Sequence, residues 1–128
     1  MSNYERSEGL EKLMGQVIDE NSEFAHLCEV RIACQYCDQK KRSQGRRVYA
    51  DTMIVSDKIK SLAYFDFVIT FYRPNCEGLD EEHLKRLMYH ELLHVGYDDE
   101  KFSIIPHDLE DFRECINRWG TNWIHGGE

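Results

Sequence analysis

A chain of 128 residues has room for one domain with a real core and none for a second module of ordinary size. Hydrophobic residues make up 41% and charged residues 31%, with 8 Gly and 2 Pro, a balance that excludes collagen, coiled coil and low-complexity disorder. Asp and Glu outnumber Lys and Arg by 24 to 16, and the net charge of -8 disfavours nonspecific binding of nucleic acid by the surface as a whole.

The opening stretch MSNYERSEGLEK lacks the apolar segment of an export signal, and no apolar run is long enough to span a bilayer. Five cysteines (Cys28, Cys34, Cys37, Cys76 and Cys115) are an odd number, so a cytoplasmic protein with reduced thiols is expected. Over residues 7–20, Leu10, Leu13, Met14, Val17 and Ile18 recur at helical spacing behind Ser7, with Glu8 and Glu11 at the positive end of the helix dipole. Residues 29–36 alternate Val30, Ile32, Cys34 and Tyr36 against polar neighbours, the pattern of a half-buried strand. After the charged loop CDQKKRSQGRR, residues 48–55 and 65–72 are two more strand candidates, with a short helix capped by Ser56 or Asp57 between them.

Asp80 then caps a helix running to about residue 95. Leu84, Leu87, Met88, Leu92 and Val95 supply its apolar face, and Gly96 is expected to end it in the left-handed conformation. Pro106 is placed to begin a last helix through about residue 118, ahead of Trp119 and Trp123. The order predicts an α+β fold in a single domain over 1–128: an N-terminal helix, a mostly antiparallel three-stranded sheet, and two further helices.

The middle helix carries His90-Glu91-Leu92-Leu93-His94, the pattern H-E-x-x-H. Histidines four apart share a helix face, so both imidazoles reach one ion, and zinc favours such nitrogens. Glu91 projects about 100° around the helix from His90, beside the ion rather than on it, where it can take a proton from water that the metal has made acidic. Two histidines and a water leave a catalytic site one protein ligand short. His107, thirteen residues after His94, is the candidate, with Asp108 and Asp111 as alternatives. Asp111 also suits the carboxylate that accepts the second N–H of a ligating imidazole. Asp108, Glu110 and Asp111 have a plainer use as acids at a helix N-terminus.

The segments FDFVITFYRP, LDEEHLKRLMYHELLHVG, HDLEDF and RWGTNW resemble the putative phage metallopeptidase family, a small zincin-like group of phages and prophages, over about residues 30–123. The resemblance implies a zinc-dependent peptidase fold, with His90 and His94 as ligands, Glu91 as catalytic base and His107 as the downstream histidine. The metzincin extension is absent, because Gly96 comes two residues after His94 rather than three. In zincins the substrate commonly lies along an edge strand above the active helix, and residues 65–72 are the expected strand. Two rival functions stand beside the peptidase: a metal-stabilised phage binding protein without turnover, and a DNA-associated, SprT-like protease.

The DNA-associated alternative draws on Lys40, Lys41, Arg42, Arg46 and Arg47, which otherwise read as a solvated hairpin whose charges discourage edge-to-edge pairing. Cys34 and Cys37 form a lone C-x-x-C, read as ordinary reduced cysteines, with a second metal site as the lesser alternative. Tyr72, Tyr89 and Tyr97 are each available to stabilise an oxyanion, Tyr97 being the nearest to the motif, although tyrosines at a core edge usually pack.

Overall fold

Residues 3–106 are described in the computed structural model of the chain. A short strand β1 (Tyr4–Arg6) leads into helix α1 (Glu8–Glu20), whose first turn is capped by the Ser7 hydroxyl accepting from the Leu10 amide. A 3-10 segment (Ser22–Glu29) precedes β2 (Ile32–Cys37). Two-residue strands β3 (Arg42–Ser43) and β4 (Arg46–Arg47) make a small hairpin, followed by β5 (Ala50–Ile54), α2 (Asp57–Lys60) and β6 (Phe67–Tyr72). After the single turn α3 (Arg73–Cys76) comes α4 (Glu81–Leu93), then a hairpin of β7 (Val95–Asp98) and β8 (Lys101–Ile104).

The main sheet has four strands in the order β1-β2-β6-β5, one more than the alternation in the sequence predicts. The added strand is β1, three exposed residues with no apolar pattern, held by its ladder to β2 and by the Arg6–Glu11 ion pair. The β2–β6 pair is parallel and the other two pairs are antiparallel. Residues 65–72 were expected to offer an edge. Strand β6 instead lies inside the sheet, with both ladders used by β2 and β5, as its run of aromatic and β-branched residues requires. The free edge beside the site is β5.

Register fixes which side chains meet the helices. Cys34, Ile69 and Thr52 form one row across β2, β6 and β5, and Tyr36, Phe71 and Ala50 form the next. The same alternation puts Phe67, Ile69 and Phe71, none of them exposed, against Leu10 and Val17 of α1 and Leu87, Met88 and Leu92 of α4. Each such side chain contributes about 1.5–3 kcal/mol by leaving water.

Two expectations at the end of α4 are corrected. The helix stops at Leu93 with His94 as its right-handed cap, and Val95 and Gly96 belong to β7. Gly96 does not take the left-handed conformation, since Gly45 is the one glycine with positive φ among the described residues. Its need is for space: a Cβ there would lie 2.8 Å from the Ser103 carbonyl oxygen and closer still to the Ser103 hydroxyl. The expected last helix beyond Pro106, with Cys115, and the tail with Trp119 and Trp123 lie outside the described residues.

Candidate metal centre

Asp80 accepts from the His83 amide and starts α4, Glu81 and Glu82 occupy its positive end, and the apolar stripe docks it on the sheet. That docking carries His90 and Glu91 into the interior, each only 3% exposed. The ligand atoms of His90, Glu91 and His94 all lie within 4.8 Å of one another, the one such group of histidine, cysteine and acidic residues among the described residues. The two imidazole rings stand 5.3 Å apart at 71°. His107, Asp108 and Asp111 lie outside the described residues, so the sequence assignment of a third ligand rests where it began.

The hairpin after α4 sets the state of one imidazole. His94 Nδ1 is 2.7 Å from the Ile105 carbonyl oxygen, and the Ile105 amide donates back to the His94 carbonyl at 2.8 Å. A carbonyl only accepts, so Nδ1 carries the proton and Nε2 keeps its lone pair for an ion. Asp99 and Glu100, both at positive φ, make the tight turn that brings Ile105 back, and Val95↔Ile104 is the last pair of the ladder. Nothing in the sequence pattern announces this hairpin, because Asp-Glu is an uncommon choice for such a turn.

Glu91 is fixed from the sheet. Thr52 stands on the helix-facing side of β5 at the end of the Cys34–Ile69 row, and its hydroxyl donates to Glu91 Oε1 at 2.8 Å. Burial pushes the Glu91 carboxyl up to about 8; the Asp51 charge adds to the rise and the Thr52 hydrogen bond opposes it. A buried carboxyl of this kind between two imidazoles is costly to ionise alone and is relieved by a cation, so the donor set fits a divalent metal. Sequence reasoning missed Thr52: alternation within 48–55 gives its face, but only the pairing with β6 sets it over α4.

The three residues open onto a cleft of about 310 Å³ shared with Asp51, Thr52 and Arg47. The tyrosines singled out by sequence are engaged elsewhere. Tyr72 donates to Asp51 Oδ2 at 2.7 Å, Tyr89 donates to Glu23, and Tyr97 stacks on Phe102. Cys34 and Cys37 are free thiols on opposite faces of β2, three positions apart in a strand, so they do not share one ion. Burial pushes Cys34 and Cys76 up to about 12, well away from reactive thiolates. No described helix is long and apolar enough to cross a membrane.

A histidine–glutamate–histidine cluster on the buried face of a helix, beside the edge strand of a mixed sheet, is a donor set able to hold a metal ion. The profile of the Putative phage metallopeptidase family matches residues 2–126, nearly the whole chain, and the chain belongs to that family. A metallopeptidase implies a metal ion, and His90, Glu91 and His94 are the described residues able to meet it. No curated protein and no solved structure matches the chain.

Proposed function

We propose that the protein is a zinc-dependent peptidase of zincin-like design, with His90, His94 and His107 as ligands and Glu91 as the proton carrier. The observation that carries the reading is the convergence of two imidazoles and a fully buried carboxyl in one cleft beside the edge strand β5. When bound, zinc supplies Lewis acidity, polarising the scissile carbonyl and making water acidic enough to be deprotonated near neutral pH. Glu91 takes that proton on Oε2, since Oε1 is held by Thr52, and returns it to the leaving amine. His94 is kept in the ligating tautomer by Ile105, and His90 stands one helical turn away.

The substrate backbone adds to the edge of β5, taking the place first expected of residues 65–72, and main-chain hydrogen bonds bind it with little demand on sequence. Support for His107 as third ligand is one of reach: it follows Ile105, already against His94, by two residues, at most about 7 Å of extended chain.

Hydrolysis of a fluorogenic peptide library by zinc-loaded protein, with zinc measured in parallel, tests the reading. Glu91→Gln is expected to keep the metal and to lose activity by about 10²–10⁴-fold, while His94→Ala loses the metal. Zinc bound by the unaltered protein without any hydrolysis would leave a metal-stabilised binding protein instead.

A further inference from the structure

The β3–β4 hairpin stands beside the metal cleft. Its turn, Gln44-Gly45, has both residues at positive φ, 53° and 76°, which suits a two-residue hairpin. Its base is clamped: the Val48 amide donates to the Lys41 carbonyl at 3.0 Å, and Asn75 Nδ2 donates to the Lys41 and Val48 carbonyls at 3.0 and 2.8 Å. Within this held frame Arg42 pairs directly with Arg47. Directly opposed residues project from the same face, so Arg42 and Arg47 put two like charges on one face of the hairpin, an arrangement that costs stability when no anion accompanies it. Arg42 Nη1 also donates to the Gly45 carbonyl at 3.3 Å, which keeps that side chain against the hairpin.

Arg47 lines the same cleft as His90, Glu91 and His94, and it lies in β4, three residues ahead of β5, the strand that would receive substrate. Lys41 is committed differently, bound to Asp51 Oδ2 at 2.6 Å, so the acid beside Thr52 on β5 already has its cation. We propose that Arg42 and Arg47 form a subsite for a side-chain carboxylate of the peptide, making the cleft selective for acidic segments. The inference rests on the peptidase reading for the location of the peptide. Guanidinium forks match carboxylates in two-pronged geometry, and a subsite at the cleft rim selects by charge and falls off with salt. A carboxylate fits better than a nucleic-acid backbone because Arg42 and Arg47 sit on one hairpin of two two-residue strands, a footprint for a single anionic group rather than for a row of phosphates.

Binding without turnover tests this apart from catalysis. The probe is a fluorescein-labelled extended peptide with Glu at alternating positions, compared by anisotropy with its Gln counterpart on zinc-loaded Glu91→Gln protein. The Glu peptide is expected to bind about tenfold tighter, the worth of a charge-assisted hydrogen bond. That ratio should collapse in high salt and in Arg42→Gln/Arg47→Gln, whose melting temperature stays level or rises as the repulsion goes. Equal affinity for the two peptides, or a preference that survives the double substitution, overturns the subsite. So does a DNA oligonucleotide that displaces the Glu peptide at equal concentration, which would assign the hairpin to nucleic acid. A Glu preference on a protein that never hydrolyses peptide contradicts the peptidase reading and leaves the subsite standing.

Discussion

Helices α1 and α4 invite comparison: each is thirteen residues long, each is capped by a side chain, and both pack into one core on the same sheet. Their buried faces differ in chemistry. α1 hides Leu10 and Val17, while α4 hides His90 and Glu91 along with Leu87, Met88 and Leu92. A helix that only had to hold the sheet would gain from replacing those polar groups by apolar ones, because burying them costs free energy that packing does not return. The lesson is that α1 buries apolar groups alone, whereas α4 adds apolar side chains to the same core and spends part of its buried face on His90 and Glu91.

Breaking α1 should therefore be the larger injury to folding and the smaller one to the metal. Leu10→Ala is expected to cost about 2–5 kcal/mol in chemical denaturation, with one zinc still bound per folded molecule. Loss of zinc from protein that remains folded would mean that α1 shapes the site as well.

The second contrast concerns the carboxyl. In the metal-free protein Glu91 is held up to about 8, against an ordinary value of 4.5. The folded chain then keeps a proton that the unfolded chain has released, so stability falls as pH rises from 4.5 to 8 and levels off beyond. Glu91→Gln removes that slope, and the metal-free variant should be about 1–3 kcal/mol more stable than the unaltered chain near pH 8 and equal to it near pH 4.5. Denaturant titrations across that range measure it; a difference that does not grow with pH would show that burial is not what perturbs the group.

The smallest effect belongs to Thr52. Thr52→Val keeps the volume and removes the hydrogen bond to Glu91 Oε1, and kcat/KM should fall about tenfold, roughly 1.4 kcal/mol, with zinc content unchanged. Thr52→Ser should restore most of the rate. Failure of serine to rescue would mean that the hydroxyl alone does not account for the loss.

Much of this was legible in the sequence where one local physical rule decides the outcome. The Ser7 and Asp80 caps, the apolar stripes of α1 and α4, and the spacing of His90 and His94 all follow from helix geometry. What could not be read depends on pairing between distant segments. β1 has no apolar pattern to betray it, β6 lost its edge to two neighbours, and Gly96 looks like a helix stop until Ser103 is found against it. The partners that tune the site, Thr52 and the Ile105 carbonyl, lie 39 and 11 residues from the groups they hold. Neither has a signal of its own, because any threonine or any carbonyl has the same chemistry until the register is known.

Diffraction from crystals of the zinc-loaded protein, recorded at the zinc absorption edge, bears most directly on whether α4 carries a metal. The account predicts one anomalous peak bonded to Nε2 of His94 and to a ring nitrogen of His90, with Ile105 still accepting from Nδ1. A peak elsewhere, or two imidazoles turned apart with no ion between them, would contradict it.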